Sequence, residues 1–305
     1  MNKDGKILVV GSSNTDLVVK TSKLPNPGET VVGGEYFKFH GGKGANQAMA
    51  AAKLGGKVTF IGKLGDDDFG KDAIINLKSE GISVDSILVD KESPSGIALI
   101  MVDENGENSI AVASGANSKL TSEEINQLAD LITNHELILV QHEIPLEAIY
   151  ALMEIAAEAG VRVILNPAPA MPFDADFLPK VFLLIPNENE AEALTGIRVK
   201  GLDSAYEAGR VILKMGVNHV VITLGKVGVV YLSQTTETFI PAIEVVAVDT
   251  TAAGDTFCGA IAVLLAEGAD MESAIRFAVE AAGISVTRMG AQISQPYRSV
   301  IQSNS

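Results

Sequence analysis

The stretch 248–257 (VDTTAAGDTF) holds the residues whose types and spacing point most directly to chemistry. Two carboxylates, Asp249 and Asp255, bracket a run of small residues. If a helix begins here, its unpaired backbone N–H groups and its dipole would attract an anion, and the small side chains would let that anion come close. A carboxylate beside such a site could accept a hydroxyl proton during phosphoryl transfer.

The flanking residues fit more than one interpretation of this stretch. The β-branched run 243–248 predicts a preceding strand, and the apolar segment 259–265 predicts a following helix. The same pattern also fits a plain helix start, in which Thr250 or Thr251 caps the first turn and Asp255 merely favours the dipole. The stretch alone leaves both interpretations open.

Asn14 and Asp16 follow the first predicted strand, residues 6–11. An amide and a carboxylate two residues apart could hold the vicinal hydroxyl groups of a polyol. The alternative is a local Asx turn, in which the side chain bonds its own backbone.

A glycine-rich segment, 41–44 (GGKG), precedes an alanine-rich predicted helix, 45–54. Glycines can take positive φ angles and let a ligand approach the backbone. Asn46 would point back toward this loop. The spacing matches neither the dinucleotide-binding G-x-G-x-x-G pattern nor a Walker P-loop. The alternative is a capping turn with Lys43 in solvent.

Two further acidic positions lie just past predicted strand ends. Glu143 follows one strand, and Asn187 and Glu190 follow another. An amide and a carboxylate three residues apart share a helical face and could hold Mg²⁺ through its water shell. The alternative is a helix N-terminus rich in acidic residues.

Composition narrows the class of protein. The 305 residues, 47% of them hydrophobic, suit one large α/β domain, although the length would also allow two. A net charge of −15 without a basic run disfavours nucleic-acid binding. The single cysteine, Cys258, rules out an internal disulfide and fits a reducing cytoplasm, where we expect the protein. Neither a signal peptide, a membrane span nor a zinc site is expected.

The predicted elements form an α/β pattern. From residue 121, where Thr121 opens a helix with a capping box, strands and helices alternate, which predicts a parallel sheet covered on both faces. Ligands of such sheets bind beyond the carboxyl ends of the strands. The segment 16–37 and a hairpin at 95–113 are expected to form a small sheet over the core. The tail after Ser299 is expected to be loose.

Three motifs, 41–46, 187–190 and 249–257, together resemble the ribokinase branch of the PfkB carbohydrate kinases, and 286–292 adds to the likeness. By motif placement the resemblance runs from about Lys6 to Arg298. It implies a ribokinase-like doubly wound, mainly parallel sheet with helices on both faces. It also implies one domain, 1–305, with a β-sheet lid formed by about 14–40 and 95–113.

The resemblance implies ATP-dependent phosphorylation of D-ribose at the 5-hydroxyl, with Mg²⁺ and an activating K⁺. Asp255 would be the base, and Ala252, Ala253 and Gly254 would form the anion hole. The implied ribose ligands are Asn14, Asp16, Gly42, Lys43, Asn46 and Glu143. The implied ATP ligands are Asn187, Glu190, Thr223, Gly225, Gly228 and Gly254, with Mg²⁺ held through water by Asn187 and Glu190. The implied K⁺ site comprises Asp249, Thr251, Ser285, Arg288, Gly290 and Ser294. A homodimer would form through the lid.

Two residues depart from the family pattern in the nucleotide region. Cys258 stands where many relatives have asparagine, and Val279 stands where relatives often place a polar residue near the adenine. Other functions stay open: a kinase for fructose, deoxyribose or a nucleoside, or a non-catalytic sugar-binding protein. A nicotinamide-dependent oxidoreductase is disfavoured because its fingerprint is missing. Five per cent aromatic residues and no Trp argue weakly against a nucleoside pocket.

Overall fold

The computed structural model describes residues 5–302. The strands are β1 Lys6–Val10, β2 Asn14–Lys20, β3 Glu35–Gly41, β4 Lys57–Ile61, β5 Lys63–Gly65, β6 Leu88–Asp90, β7 Gly96–Val102, β8 Asn108–Ala113, β9 Leu137–Gln141, β10 Arg162–Asn166, β11 Leu183–Leu184, β12 His219–Thr223, β13 Gly228–Ser233 and β14 Glu237–Pro241.

The helices lie mostly between these strands. They are α1 Lys43–Lys53, α2 Asp68–Ser79, α3 Ser122–Gln127, α4 Ala129–Thr133, α5 Leu146–Ala159, α6 Glu188–Thr195, α7 Leu202–Lys214, α8 Ala253–Ala266, α9 Met271–Ser285 and α10 Arg298–Gln302. The predicted capping box at Thr121 is present, because Thr121 and Glu124 each accept the backbone N–H of the other.

The central sheet has eight strands in the order β14-β13-β12-β11-β10-β9-β1-β4. All neighbours pair in parallel except β12-β13 and β13-β14, which are antiparallel. The mainly parallel doubly wound sheet predicted from the sequence is therefore confirmed. Its carboxyl ends form one edge, where the polar residues that follow β1, β9, β10 and β11 gather.

Both faces of the sheet are buried, as β1 shows. Ile7 and Val9 pack into a core shared with α1, α8 and α9, whereas Leu8 and Val10 pack into a second core shared with α5 and α7. All four side chains are fully buried. A strand buried on both faces must be apolar without alternation, which explains the apolar run 7–10.

The second sheet has four strands in the order β3-β2-β7-β8. It joins the two segments that the sequence predicted to pair. β2 runs antiparallel to β3 and parallel to β7, with Asn14 opposite both Gly41 and Gly96. Asn14 therefore lies where this small sheet leaves the core.

Two predictions about local structure are wrong. The run 243–248 forms no strand: it follows edge strand β14, finds no partner strand among residues 5–302, and leaves Val246 85% exposed. Its β-branched residues lacked the pairing that β-propensity depends on. The chain after Ser299 is not loose through residue 302, because it completes α10 and buries Ile301. Among the described residues, none of the helices combines the length and the apolar character that crossing a bilayer requires.

Candidate active site

Helix α8 begins with a left-handed residue. Its N-cap, Ala252, has φ 58° and ψ 17° and makes no side-chain cap, so capping by Thr250 or Thr251 is wrong. Ala252 is the sole residue other than glycine with positive φ within residues 5–302. A left-handed backbone conformation costs energy in a residue other than glycine, and such residues concentrate at functional sites. Asp255 follows as the third residue of the helix, which therefore begins within the stretch 248–257 and continues through the apolar segment 259–265.

The first turn of α8 offers open backbone donors. The N–H of Ala253 is bonded to the Thr250 carbonyl at 3.3 Å, whereas the N–H groups of Gly254 and Asp255 have no acceptor among residues 5–302. The space where a side chain of Gly254 would stand is empty. Free amides, the positive end of a 14-residue helix and open space together suit an anion.

The carboxylate of Asp255 is buried and held by two amides of helix α1. Asn46 Nδ2 donates to Oδ2 at 3.0 Å, and Gln47 Nε2 donates to Oδ1 at 3.0 Å. Asp255 is only 6% exposed. An ionised carboxylate can accept about four hydrogen bonds, so both oxygens keep capacity for a substrate hydroxyl.

The sugar-side residues predicted from the sequence converge near Asp255. Glu143 Oε2 accepts from Ser12 Oγ at 2.5 Å and from the Lys43 backbone N–H at 2.9 Å. Asn14 Oδ1 accepts from the buried Asn117 Nδ2 at 2.8 Å, which leaves the Asn14 NH₂ group for a ligand. These contacts fix the rotamers of both candidate ligands.

The charged groups of this pocket shift one another's pKa values. Burial, then the negative charges of Glu143 and Asp255, raise the pKa of Asp16 to about 7. Burial alone would lower the pKa of Lys43, but the charges of Asp255, Glu143 and Glu190 outweigh it and raise that pKa. Lys43 is therefore a fixed positive charge among carboxylates.

Gly42 is required where the small sheet returns to α1. It has φ 87°, and a side chain there would overlap the backbone of Ser13 and Asn14. The backbone of Gly42 therefore lies against the strand that carries Asn14 and Asp16. This close approach is the role for glycine that the sequence suggested.

Two adjoining cavities extend from Asp255 over the edge of the sheet. The smaller, about 200 Å³, is lined by Lys43, Asn187, Glu190, Asp255 and Cys258, among others. The larger, about 550 Å³, is lined by Thr223, Gly225, Gly228 and Val279, among others, and by four residues of the exposed run after β14, namely Ile243, Glu244, Val245 and Ala247. The cavities share Thr223, Thr250, Ala253 and Gly254. The larger, mostly apolar space suits a nucleoside, and the smaller, polar one suits its phosphates.

Asn187 and Glu190 form a reciprocal cap at the start of α6. Asn187 Oδ1 accepts the Glu190 N–H, while both Glu190 oxygens accept from Asn187, all at 2.9 Å. The contacts that Asn187 and Glu190 make are therefore those of a helix N-terminus, the alternative that the sequence left open. Because its oxygens are engaged, Glu190 suits a hydrated cation better than a directly bound one. Burial raises the pKa of Glu190 more than the Asn187 bonds and Lys43 lower it.

Asp249 organises a turn beneath the small sheet. Its Oδ1 accepts from Thr251 N at 2.9 Å and from Thr251 Oγ1 at 2.6 Å, and its Oδ2 accepts from Gly290 N at 2.8 Å. Burial would raise its pKa, but these bonds outweigh burial and lower it. Within the described range 5–302 it forms no ion pair with Arg288.

The remaining residues of the expected K⁺ site lie along the neighbouring segment. Val286 O accepts from the N–H groups of Val248 and Asp249, so residues 285–290 run beside the Asp249 turn. The hydroxyls of Ser285 and Ser294 bond the carbonyls of Ala282 and Ala291 and do not reach Asp249. The segment could contribute carbonyl oxygens, the ligands that a large monovalent ion takes.

Cys258 lies fully buried one turn after Asp255 and lines the smaller cavity. Burial, then the charges of Asp255 and Glu190, raise the pKa of its thiol well above the ordinary value. The thiol is therefore protonated and inert as a nucleophile at neutral pH.

Sequence reasoning missed the residues that hold the candidate ligands in place. They are Ser12, Gln47, Asn117, Gln141 and Asn166, all buried polar residues. Buried polar groups must be hydrogen-bonded, so a polar residue inside an apolar helix or at the end of an apolar strand was the available sign. Gln47 in the alanine-rich α1 carries that sign most clearly.

Comparison with known proteins agrees with this geometry. The family model described as "pfkB family carbohydrate kinase" matches residues 4–298. A ribokinase of Haemophilus influenzae is 42% identical over 292 residues, 96% of this chain and 95% of the relative. A deoxyribokinase of Salmonella typhi is 40% identical over 291 residues, 95% of each. The structure of an Arabidopsis thaliana ribokinase complexed with ribose and ATP superposes with a TM-score of 0.91 at 33% identity, covering 98% of this chain and 97% of that one.

A family match over nearly the whole chain, relatives at about 40% identity and a superposable fold agree with the three motifs found in the sequence. The chain belongs to the pfkB family of carbohydrate kinases.

Proposed function

We propose that this protein transfers the γ-phosphoryl group of ATP to the 5-hydroxyl of D-ribose, giving ribose 5-phosphate and ADP. The observation that carries the proposal is the position of Asp255. Its carboxylate lies in the polar cavity that adjoins the nucleoside-sized cavity, and its charge acts on Asp16 on the sugar side. Ribokinases lie among the relatives that match over nearly the full chain.

Asp255 accepts the proton of the 5-hydroxyl as its oxygen attacks the γ-phosphorus. The bond from that phosphorus to the bridging oxygen of ADP breaks, and Asp255 later releases its proton to solvent. The amides of Gly254 and Asp255, with Lys43, bind the charge on the transferred group. Ala252 and Ala253 shape that turn.

Ribose lies between the small sheet and α1. Asn14 and Asp16 on β2 bind its hydroxyls, and Glu143, Gly42 and Asn46 complete the pocket. Asn46 also bonds Asp255, so substrate and base share one amide. Holding the reacting oxygen beside the base supplies much of the rate advantage.

The nucleotide occupies the two adjoining cavities. Thr223, Gly225 and Gly228 lie along the nucleoside, and Asn187 and Glu190 order the phosphates. Asn187 and Glu190 would hold Mg²⁺ through its water shell, and the ion would supply positive charge to the phosphates. Among residues 5–302, no group of three or more His, Cys, Asp or Glu side chains is placed to hold a metal ion, which suits a cation that arrives on its nucleotide.

A potassium ion bound near Asp249 would fix the turn that carries the anion hole. The proposal rests on the bonds that tie Asp249 to Thr251 and Gly290, and on the segment 285–290, which runs beside the Asp249 turn. Ser285 and Arg288 lie on that segment, and Ser294 follows it along the chain. Carbonyl oxygens of this loop would supply the ligands.

The small sheet acts as a lid and as the contact between two copies of the chain. Its inner face borders a cavity of about 720 Å³ that includes Asp16 and Asp249. Its opposite face presents Val19, Tyr36 and Leu99, exposed by 36%, 63% and 50%. A homodimer would cover this apolar face. The cytoplasmic location expected from the sequence stays a prediction.

A coupled assay with ATP, Mg²⁺ and a panel of sugars tests the function. The Asp255→Asn variant keeps size but loses the proton acceptor, so kcat should fall by about 10²–10⁴, while ribose still binds. Asp68→Asn is the matched control, because Asp68 also lies in the first turn of a helix but is exposed. Near wild-type turnover in Asp255→Asn would remove Asp255 from the role of base.

2-Deoxyribose is the second candidate acceptor, because a deoxyribokinase lies among the relatives at 40% identity. Ribose and 2-deoxyribose differ in one hydroxyl, so kcat/KM for the two sugars decides between them. A higher kcat/KM for 2-deoxyribose would replace ribose as substrate and leave the phosphoryl-transfer chemistry unchanged.

A further inference from the structure

Gln47 is a fully buried amide with no role in the function proposed above. It follows Asn46 in α1, whose neighbouring residues are mostly alanine. Its Nε2 donates to Asp255 Oδ1 at 3.0 Å and to Asn166 Oδ1 at 3.1 Å, and its Oε1 accepts from Gln141 Nε2 at 2.6 Å. Burial of an amide is tolerated when its groups are bonded, and here each is.

The chemistry at both ends fixes the direction of these bonds. Asn166 Nδ2 donates to the Ile185 carbonyl at 2.9 Å, so Asn166 Oδ1 must face Gln47 as an acceptor. Both carboxylate oxygens of Asp255 accept hydrogen bonds from side-chain amides. The NH₂ group of Gln47 therefore donates both of its hydrogens, one to Asp255 and one to Asn166. A reversed amide would place its oxygen against both of them.

The surrounding backbone leaves room for this arrangement. A side chain at Gly259, one turn beyond Asp255 on α8, would overlap the Gln47 carbonyl and Ala50, so α1 and α8 approach each other closely there. A side chain at Gly11 would overlap the amide of Gln141. The two glycines thus allow Gln47 to reach Asp255 and Gln141 to reach Gln47.

We propose that Gln47 is a positioning residue for the base. Gln47 and Asn46 each hold one oxygen of the Asp255 carboxylate. Asn166 and Gln141 in turn hold Gln47. A carboxylate fixed at both oxygens cannot rotate away from the hydroxyl that it must deprotonate. Neutral amides do this without the full positive charge that would weaken a base. The inference rests on the proposed function, because it assigns Asp255 the same role.

The test compares two buried glutamines changed in the same way. Gln47→Met keeps length and helix propensity but removes the donor. Gln295→Met is the matched control, because Gln295 is equally buried and donates, at 2.9 Å, to the backbone carbonyl of Asn46 and not to Asp255. Melting temperature, kcat, KM for ATP and ribose affinity by calorimetry are measured for both variants.

Gln47→Met should lower kcat by about 10²-fold, the cost of a reacting group displaced by about 1 Å. Its ribose affinity and KM for ATP should stay within about twofold of wild type. Gln295→Met should lower the melting temperature and keep the wild-type kcat. If Gln47→Met lowers the melting temperature but keeps the wild-type kcat, the role of Gln47 is structural only, and the inference fails.

Gln141→Met provides an independent readout if Gln47→Met does not fold. It keeps the Gln47 donor but removes the bond that anchors Gln47 Oε1. It should lower kcat by roughly tenfold without changing ribose affinity, and a wild-type kcat would overturn the inference. Wild-type enzyme that phosphorylates no sugar would instead refute the proposed function, so the two failures are distinguishable.

Discussion

Ribose binding should release a proton from Asp16. Burial and the charges of Glu143 and Asp255 raise the pKa of Asp16 to about 7 in the free protein. Sugar hydroxyls donate best to an ionised carboxylate. If Asp16 binds ribose in that form, lowering the pH through the Asp16 pKa removes the binding-competent state, and ribose affinity must fall.

The size of the effect follows from the pKa. With a pKa of about 7, the carboxylate is ionised in about 90% of molecules at pH 8 and in about 10% at pH 6. The apparent dissociation constant is the intrinsic one divided by this fraction, so it should rise about tenfold from pH 8 to pH 6. Binding should release about 0.9 proton at pH 6 and about 0.1 at pH 8.

Isothermal titration calorimetry in two buffers of different ionisation enthalpy measures both the affinity and the released protons. Asp16→Asn is the control, because an amide does not titrate and its weaker ribose affinity should be equal at both pH values. Burial lowers the pKa of His142 to about 4, which is below this window, and it also lowers the pKa of His40. A wild-type affinity that is constant between pH 6 and pH 8 would refute the assignment of Asp16.

Three further predictions concern the residues that hold the site. Asn117→Asp places an oxygen against Asn14 Oδ1, so KM for ribose should rise roughly tenfold while KM for ATP stays unchanged. Asn126→Asp, at an exposed position, is the control, and an unchanged KM for ribose in Asn117→Asp would show that Asn117 does not support ribose binding. K⁺ should raise turnover above choline buffer and Asp249→Ala should abolish that activation, whereas equal rates in both salts would defeat the ion site. Ala252→Gly should stabilise the fold by up to about 1 kcal/mol, because glycine takes φ 58° without strain; an unchanged urea midpoint would contradict this.

Regular local patterns predicted most of the fold. The capping box at Thr121 and the hairpin at 95–113 lie where the sequence placed them. These features depend on residues within a few positions of one another, so the sequence contains all of their causes.

The strand predicted at 243–248 is absent because strand formation depends on residues far along the chain. Its β-branched residues fit a pleated surface, but a strand needs a partner, and the run pairs with no strand among residues 5–302. The run instead borders the larger cavity as exposed chain. The helix α8 begins within the stretch 248–257 as expected, but a left-handed alanine, unlike a threonine cap, leaves no mark in the sequence, so the capping residue was wrong.

The candidate site depends on contacts across the chain. Gln47 meets Gln141, Asn166 and Asp255 over separations of 94, 119 and 208 residues. The order of strands in the sheet decides such meetings, because β9 and β10 end side by side and α1 and α8 both cover that end. Motifs could therefore identify Asp255 and Asn46, whereas the amides that hold Asp255 became visible only when the sheet was assembled.

The net charge of −15 shows why composition says little about the ligand of such a site. ATP is an anion, and the pocket itself gathers Asp16, Glu143, Glu190 and Asp255. Over distances beyond about 10 Å salt screens the acidic surface, so the groups in contact with the phosphates decide whether they bind. In the proposed function Lys43 and the free amides of α8 contact the phosphates, and the same crowding of carboxylates that raises the Asp16 pKa also raises the pKa of Lys43. An acidic kinase can therefore bind a polyphosphate because a few donors are fixed where the charge develops.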